Sequence, residues 1–137
     1  MAPDISKALA AFVTADSAVK ALIVKRFYPV HLPQSVIMPA ASYQFLPGGR
    51  VVQAHGEKSS LPRARVQITM FGVLYVDCAA VDAAIKQALD GQQGSWGSGS
   101  FVTEVESCVV AGPPADGVDP ETGLLWRTRD FFIMWKE

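Results

Sequence analysis

The segment from Arg63 to Gly91, RARVQITMFGVLYVDCAAVDAAIKQALDG, decides how the rest of the chain must fold. From Arg65 to Met70 polar and apolar residues alternate, with Arg65, Gln67 and Thr69 on one side and Val66, Ile68 and Met70 on the other. A period of two belongs to a half-buried strand. Beyond Tyr75 the period lengthens. Ala80, Val81, Ala84, Ile85, Ala88 and Leu89 recur at helical spacing, while Asp82, Lys86, Gln87 and Asp90 fall mainly opposite. Asp77 is the expected N-cap of this helix, over about Cys78 to Asp90, and Gly91 its expected stop. A strand and a helix with one apolar face each must bury those faces against one another or the remaining chain.

The 137 residues are half hydrophobic and 18% charged, which fits a single folded domain spanning 1–137. A formal net charge of −1 argues against a protein whose main task is neutralising phosphates, hence against sequence-specific nucleic-acid binding. No apolar run approaches the roughly 18 residues of a membrane span, and the first residues lack a signal-peptide pattern. The expectation is synthesis in a cytoplasm, with Cys78 and Cys108 reduced and partly buried; their spacing fits no metal motif.

Outward from the central segment, Asp4 is placed to cap an opening helix with Leu9, Ala10, Phe12 and Val13 as its stripe. Asp16 offers a second cap before Val19, Leu22 and Ile23, leaving open one kinked helix or two short ones. Three prolines between Phe27 and Pro39 predict an extended surface segment. Ala40–Leu46 reads as the first strand. Pro47–Pro62 is polar and glycine-rich, a long loop or hairpin extension whose Val51 and Val52 suit either a contact or a short local strand. Gln92–Ser100 reads as a flexible connection, with Trp96 folded back on the core edge. Its glycines follow a helix and precede a strand, the reverse of a phosphate loop. Phe101–Val110 is a third strand with a mixed pattern that puts Glu104 and Glu106 on one side. Ala111–Thr122 is a loop, and the closing GLLWRTRDFFIMWKE is a strand apolar enough to be central. The fold class that results is α+β: about four mainly antiparallel strands, with the N-terminal helical segment and the central helix packed on the sheet.

Reactive constellations do not emerge. His31 and His55 lie in loop-like segments without a second ligand at helical spacing, and a cap plus a helix-surface acid accounts for Asp77 and Asp82. No catalytic, cofactor-binding or metal-binding residue is expected. The arginines Arg50, Arg63, Arg65, Arg127 and Arg129, with Val51 and Val52, are the candidate contact residues. Arg65 with Arg127 or Arg129 could form an outward basic stripe; the preferred reading is ordinary cross-strand pairing with Glu104 and Glu106.

The succession of short motifs resembles the tail-completion, or tail-terminator, family of long-tailed bacteriophages, also found in prophages and gene transfer agents. It comprises Asp16-Ser-Ala-Val19-Lys-Ala-Leu22, Arg26-Phe27-Tyr28-Pro29, Leu32-Pro33-Gln34, Pro39-Ala40 and Tyr43-Gln44. Arg65-Val66-Gln67-Ile68, Ala88-Leu89, Asp119-Pro120-Glu121-Thr122-Gly123-Leu124, and Arg127, Asp130-Phe131 and Trp135 then follow in order. The resemblance covers almost the whole chain. It implies a non-enzymatic virion protein of the tail neck, without cofactors, forming a typically hexameric ring. That ring caps the tail tube, lets DNA pass, and joins the tube to the head connector or stopper protein. A head-closure or adaptor protein of the same neck is the alternative. A small enzyme or ligand-binding module would need a cleft with convergent polar groups, which no spacing here supplies.

Overall fold

A computed structural model describes residues 2–46, 63–97 and 102–136 of the chain, with side chains from Ile5 onward. Sequence expectations for the capping side chain of Asp4 and for Arg50, Val51, Val52 and His55 lie outside the described residues.

The organising segment folds as its periods require. The strand β3 (Arg63–Gly72; β1 and β2 precede it) fully buries Val66, Ile68 and Met70. The helix α3 (Tyr75–Leu89) follows after two residues and buries Cys78, Val81, Ile85, Ala88 and Leu89. Its start corrects the sequence reading: Leu74 is the N-cap, without a side-chain cap bond, and Asp77 sits inside the first turn. There a carboxylate still meets the positive end of the helix dipole. At the other end Gly91 takes φ +79°, a left-handed conformation natural to glycine. Its N–H donates to the carbonyl of Cys108 at 2.7 Å, so the helix exit is tied directly to the sheet.

The N-terminal segment is two helices, α1 (Ala2–Ala15) and α2 (Ser17–Ile23). Asp16 separates them in an extended conformation, and its Oδ2 accepts from the Val19 N–H at 3.1 Å. Ile5, Leu9, Val13, Val19 and Ile23 join the α3 stripe and the inner face of the sheet in one buried cluster. Arg26 then pins the end of α2 to the sheet, donating from Nε to the Pro39 carbonyl (3.0 Å) and from Nη2 to the Leu22 carbonyl (3.2 Å).

The described residues contain seven strands where about four were expected, in the order β1-β2-β3-β7-β5-β4 with β6 also against β7. The long ones match the sequence reading: β2 (Ala40–Leu46), β3, β5 (Thr103–Val110) and β7 (Leu125–Trp135). The additional ones are short: β1 (Phe27–Pro29), β4 (Gly94–Trp96) and β6 (Ala115–Val118). Each is an edge piece lying in a segment read as extended chain, connection or loop, too short to show a period of two. Pairing is antiparallel throughout except β1 with β2. β7 is central, hydrogen-bonded to β3 on one side and to β5 and β6 on the other.

The mixed pattern of β5 has a structural cause. Val105 pairs with Trp135 and Ser107 with Met134, so two steps on β5 match one on β7 and Glu106 is bulged out. Side-chain parity switches at the bulge: Thr103 and Val105 are buried before it and Cys108 after it. β4 explains Trp96, which is 1% exposed and stacks on Phe12 with ring centroids 4.3 Å apart.

Candidate assembly surface

Opposite residues of an antiparallel pair share a face. The register therefore places every described arginine of interest. Arg127 lies opposite Met70 and Arg129 opposite Ile68, so both are on the inner, helix-covered face. Arg63 lies opposite Met134 and Arg65 opposite Phe132, on the outer face. No stripe joins Arg65 to Arg127 or Arg129, because the sheet separates them.

The partners also differ from the expected Glu104 and Glu106. Arg65 reaches Asp130, with Nε 2.7 Å and Nη2 2.6 Å from Oδ2, and its guanidinium and that of Arg63 lie over the Phe132 ring. Arg129 donates from Nε and Nη2 to the two carboxylate oxygens of Asp82, at 2.6 and 2.8 Å. Those hydrogen bonds raise the guanidinium above its usual pKa, outweighing the desolvation that lowers it. The Nε of Arg127 stands 3.4 Å from Asp82 and 3.3 Å from Asp116, charge contacts without hydrogen-bond alignment. Glu106 instead faces Lys136 at 3.6 Å, and Glu104 accepts from the Ser95 hydroxyl.

Asp82 is 4% exposed, so the expectation of a helix-surface acid is corrected. The signal was present: Asp82 follows Cys78 by four positions and precedes Ile85 by three, which puts it on the buried stripe.

Among the described residues no helix covers the outer face, but the segment 30–38 lies against one end. Ala40 and Ser42 point outward and are still buried. Between Val30, Leu32, Val36 and Met38 on one side and Asp119, Thr122 and Leu124 on the other, a groove of about 570 Å³ opens over Phe71. A second hollow of about 450 Å³ continues past Phe71 and Asp119 to Pro120 and Trp126. His31 lines the first groove. Gly117 lies so close under Trp126 that any Cβ there would overlap the indole ring.

The same end of the sheet carries a further feature, where β3 passes into α3. Val73 and Leu74, which join β3 to α3, and Tyr75 and Val76, which open α3, are four consecutive exposed apolar side chains, 65, 58, 52 and 64% exposed. A strand-to-helix turn is ordinarily polar, and exposed apolar runs of this length are a common feature of interaction surfaces. The unused signal was the run VLYV itself, at a position where turn chemistry asks for polar residues.

Chemistry is sparse by comparison. No group of three or more His, Cys, Asp or Glu among the described residues could hold a metal ion. Cys78 and Cys108 are buried free thiols. Burial pushes the Cys108 thiol up to about 12, with Asp90 adding to it; burial, then the charges of Asp77 and Asp116, raise Cys78. Neither is a poised thiolate nucleophile. No described helix is long and apolar enough to cross a membrane.

No family model matches the sequence, and no curated protein matches it. Solved structures do match. A chain from the virion of a native gene transfer agent (GTA) particle superposes with a TM-score of 0.68 at 14% identity, covering 94% of this chain and 92% of that one. A second solved chain, whose name states no role, gives a TM-score of 0.57 at 11% identity and covers 96% of each chain. At these identities the likeness is one of fold, and it runs the length of the chain.

Proposed function

We propose that this protein is a structural tail terminator of a long-tailed bacteriophage or a phage-like particle such as a gene transfer agent. Copies of it form a ring, hexameric in this reading, that caps the tail tube, stops its growth and joins it to the head connector. It resides in the tail neck of the virion and acts without catalysis or cofactor. The observation that carries the reading is the end-to-end fold likeness to a chain of a GTA virion, a kind of particle in which the resembled family is also found. The physical logic is that stacked rings present an unsatisfied surface to each newcomer, so a heterologous tube has no intrinsic end. A terminator must match the tube on one face and present something different on the other. The chain has such unlike ends: the β3–β7 ladder carries Arg63 and Arg65 at one end and the apolar Val73–Val76 turn at the other.

Deleting the gene from its particle cluster tests this. The expected result is filled heads without tails, together with free tails of abnormal length. Normal-length tails beside leaking heads would instead assign the protein to head closure.

A further inference from the structure

We infer that the Val73–Val76 turn, with Val118 beside it, is the docking surface for a different protein of the particle, one whose contacting face is apolar and rimmed by Lys or Arg. The inference rests on the proposed function and names the chemistry of one partner.

The geometry gathers the surface from two turns. Gly72 of β3 pairs with Leu125 of β7, and Leu125 pairs with Val118 of β6, so the three stand on one rung at the end of the sheet. Val118 is 55% exposed there. The turn is held in place rather than loosely draped. The Tyr75 hydroxyl donates to Asp116 at 3.3 Å, the Cys78 thiol donates to the Leu125 carbonyl at 3.4 Å, and the Arg127 guanidinium lies 5.9 Å from the Tyr75 ring centre. A pre-ordered apolar surface loses little entropy on binding, which suits docking.

Charge selects the occupant. The segments 71–77 and 115–125 contain Asp77, Asp116, Asp119 and Glu121 and not one Lys or Arg. Arg127, next along β7, is already occupied by Asp82 and Asp116, so that Asp77, Asp119 and Glu121 are the carboxylates left to form the rim. An apolar centre with a carboxylate rim repels DNA and anionic lipid and attracts a basic-rimmed protein face. It also disfavours a second copy of this chain. Two such surfaces meeting face to face would bring both sets of carboxylates together. Elsewhere among the described residues the large exposed apolar side chains, Val24, Val30, Ile37, Val102 and Val109, form no comparable run.

The test uses purified full-length protein added to an extract of cells in which its gene is deleted, with restored particles counted. Wild type should restore them. V73D/V76D alters two exposed side chains, so it should fold and self-assemble as wild type does, yet lower restoration by about tenfold or more. D119N/E121Q keeps the turn's hydrogen-bonding groups and should lower restoration at low salt, with the deficit shrinking as salt rises. If both variants restore particles as well as wild type, the inference is overturned. Loss of self-assembly by folded V73D/V76D, read by light scattering, also overturns it, because the occupant is then a second copy. Wild-type protein that restores nothing, from a deletion that leaves particles normal, overturns the proposed function and this inference with it.

Discussion

Asp82 on α3 and Arg129 on β7, 47 positions apart in the chain, close a two-point clasp between helix and sheet in which both side chains are almost fully withdrawn from water. Arg127 stands second to it and passes the contact outward to Asp116 on β6. The clasp therefore joins α3, β7 and β6 beneath the Val73–Val76 turn. Buried pairs of this kind return little net stability over an apolar pair of equal volume, but halving one is costly, because the survivor stays charged and desolvated.

Asp82→Ala is accordingly expected to destabilise the fold by about 3–5 kcal/mol. The double variant Asp82→Leu/Arg129→Met should lose less than the sum of the two single changes, since it removes both charges together. Urea unfolding of the four proteins measures the coupling. Additive losses would show that the pair is not energetically linked.

How much of this was legible beforehand divides by range. Val66, Ile68 and Met70 announce β3 through three repeats of a two-residue period, while β2, β5 and β7 are long enough to be read from their apolar, β-branched and aromatic residues without a clean period. The edge strands β1, β4 and β6, three or four residues each, owe their conformation to a neighbour and have no local period to read. The arginines failed for a related reason. Arg127 and Arg129 share parity with Phe131, Ile133 and Trp135, but Phe132 and Met134 make the opposite face apolar too. Only the register with β3 says which face is the core. The partners Asp82 and Asp130 for Arg129 and Arg65 are set by that register and by helix placement, neither of which is local.

The short helix α2 gives a local prediction. Its first turn has one side-chain cap, from Asp16, and a seven-residue helix has little propensity of its own to fall back on. Asp16→Ala should cost about 1 kcal/mol, whereas Asp16→Asn should be close to neutral because the amide oxygen can accept the same bond. Chemical denaturation distinguishes them. A loss from Asn as large as that from Ala would mean that charge, not the cap bond, matters.

Cys108 links stability to pH. Its folded thiol titrates at about 12 against an ordinary 9.0, chiefly through burial. Below pH 9 both folded and unfolded forms hold the proton, and stability is unaffected. Between pH 9 and 12 the unfolded thiol ionises first, so the unfolded state binds fewer protons and stability falls as pH rises. Three units amount to about 4 kcal/mol, an upper figure for this one group. Cys108→Ala should start less stable at pH 8 but decline less steeply above pH 9. Parallel slopes for the two proteins would show that the thiol is not the group responsible.

The last prediction separates contact residues from scaffold among the arginines. Arg65 is 46% exposed at its side chain, and its pairing with Asp130 is solvent-screened, so Arg65→Ala should change stability by less than about 1 kcal/mol. Arg129→Ala leaves Asp82 buried with only the misaligned Arg127 beside it and should cost about 3–5 kcal/mol. An exposed cation over an aromatic ring, as Arg65 is over Phe132, is spare capacity for the monomer and therefore available to an assembly. In a folded Arg65→Gln variant the outer face would lose the cation while keeping an N–H donor for Asp130. Self-association, followed by sedimentation, should weaken while the melting transition barely moves. A variant that melts as early as Arg129→Ala, or that assembles as well as wild type, would remove Arg65 from the list of contact residues and leave Arg63 as the remaining described candidate on that face.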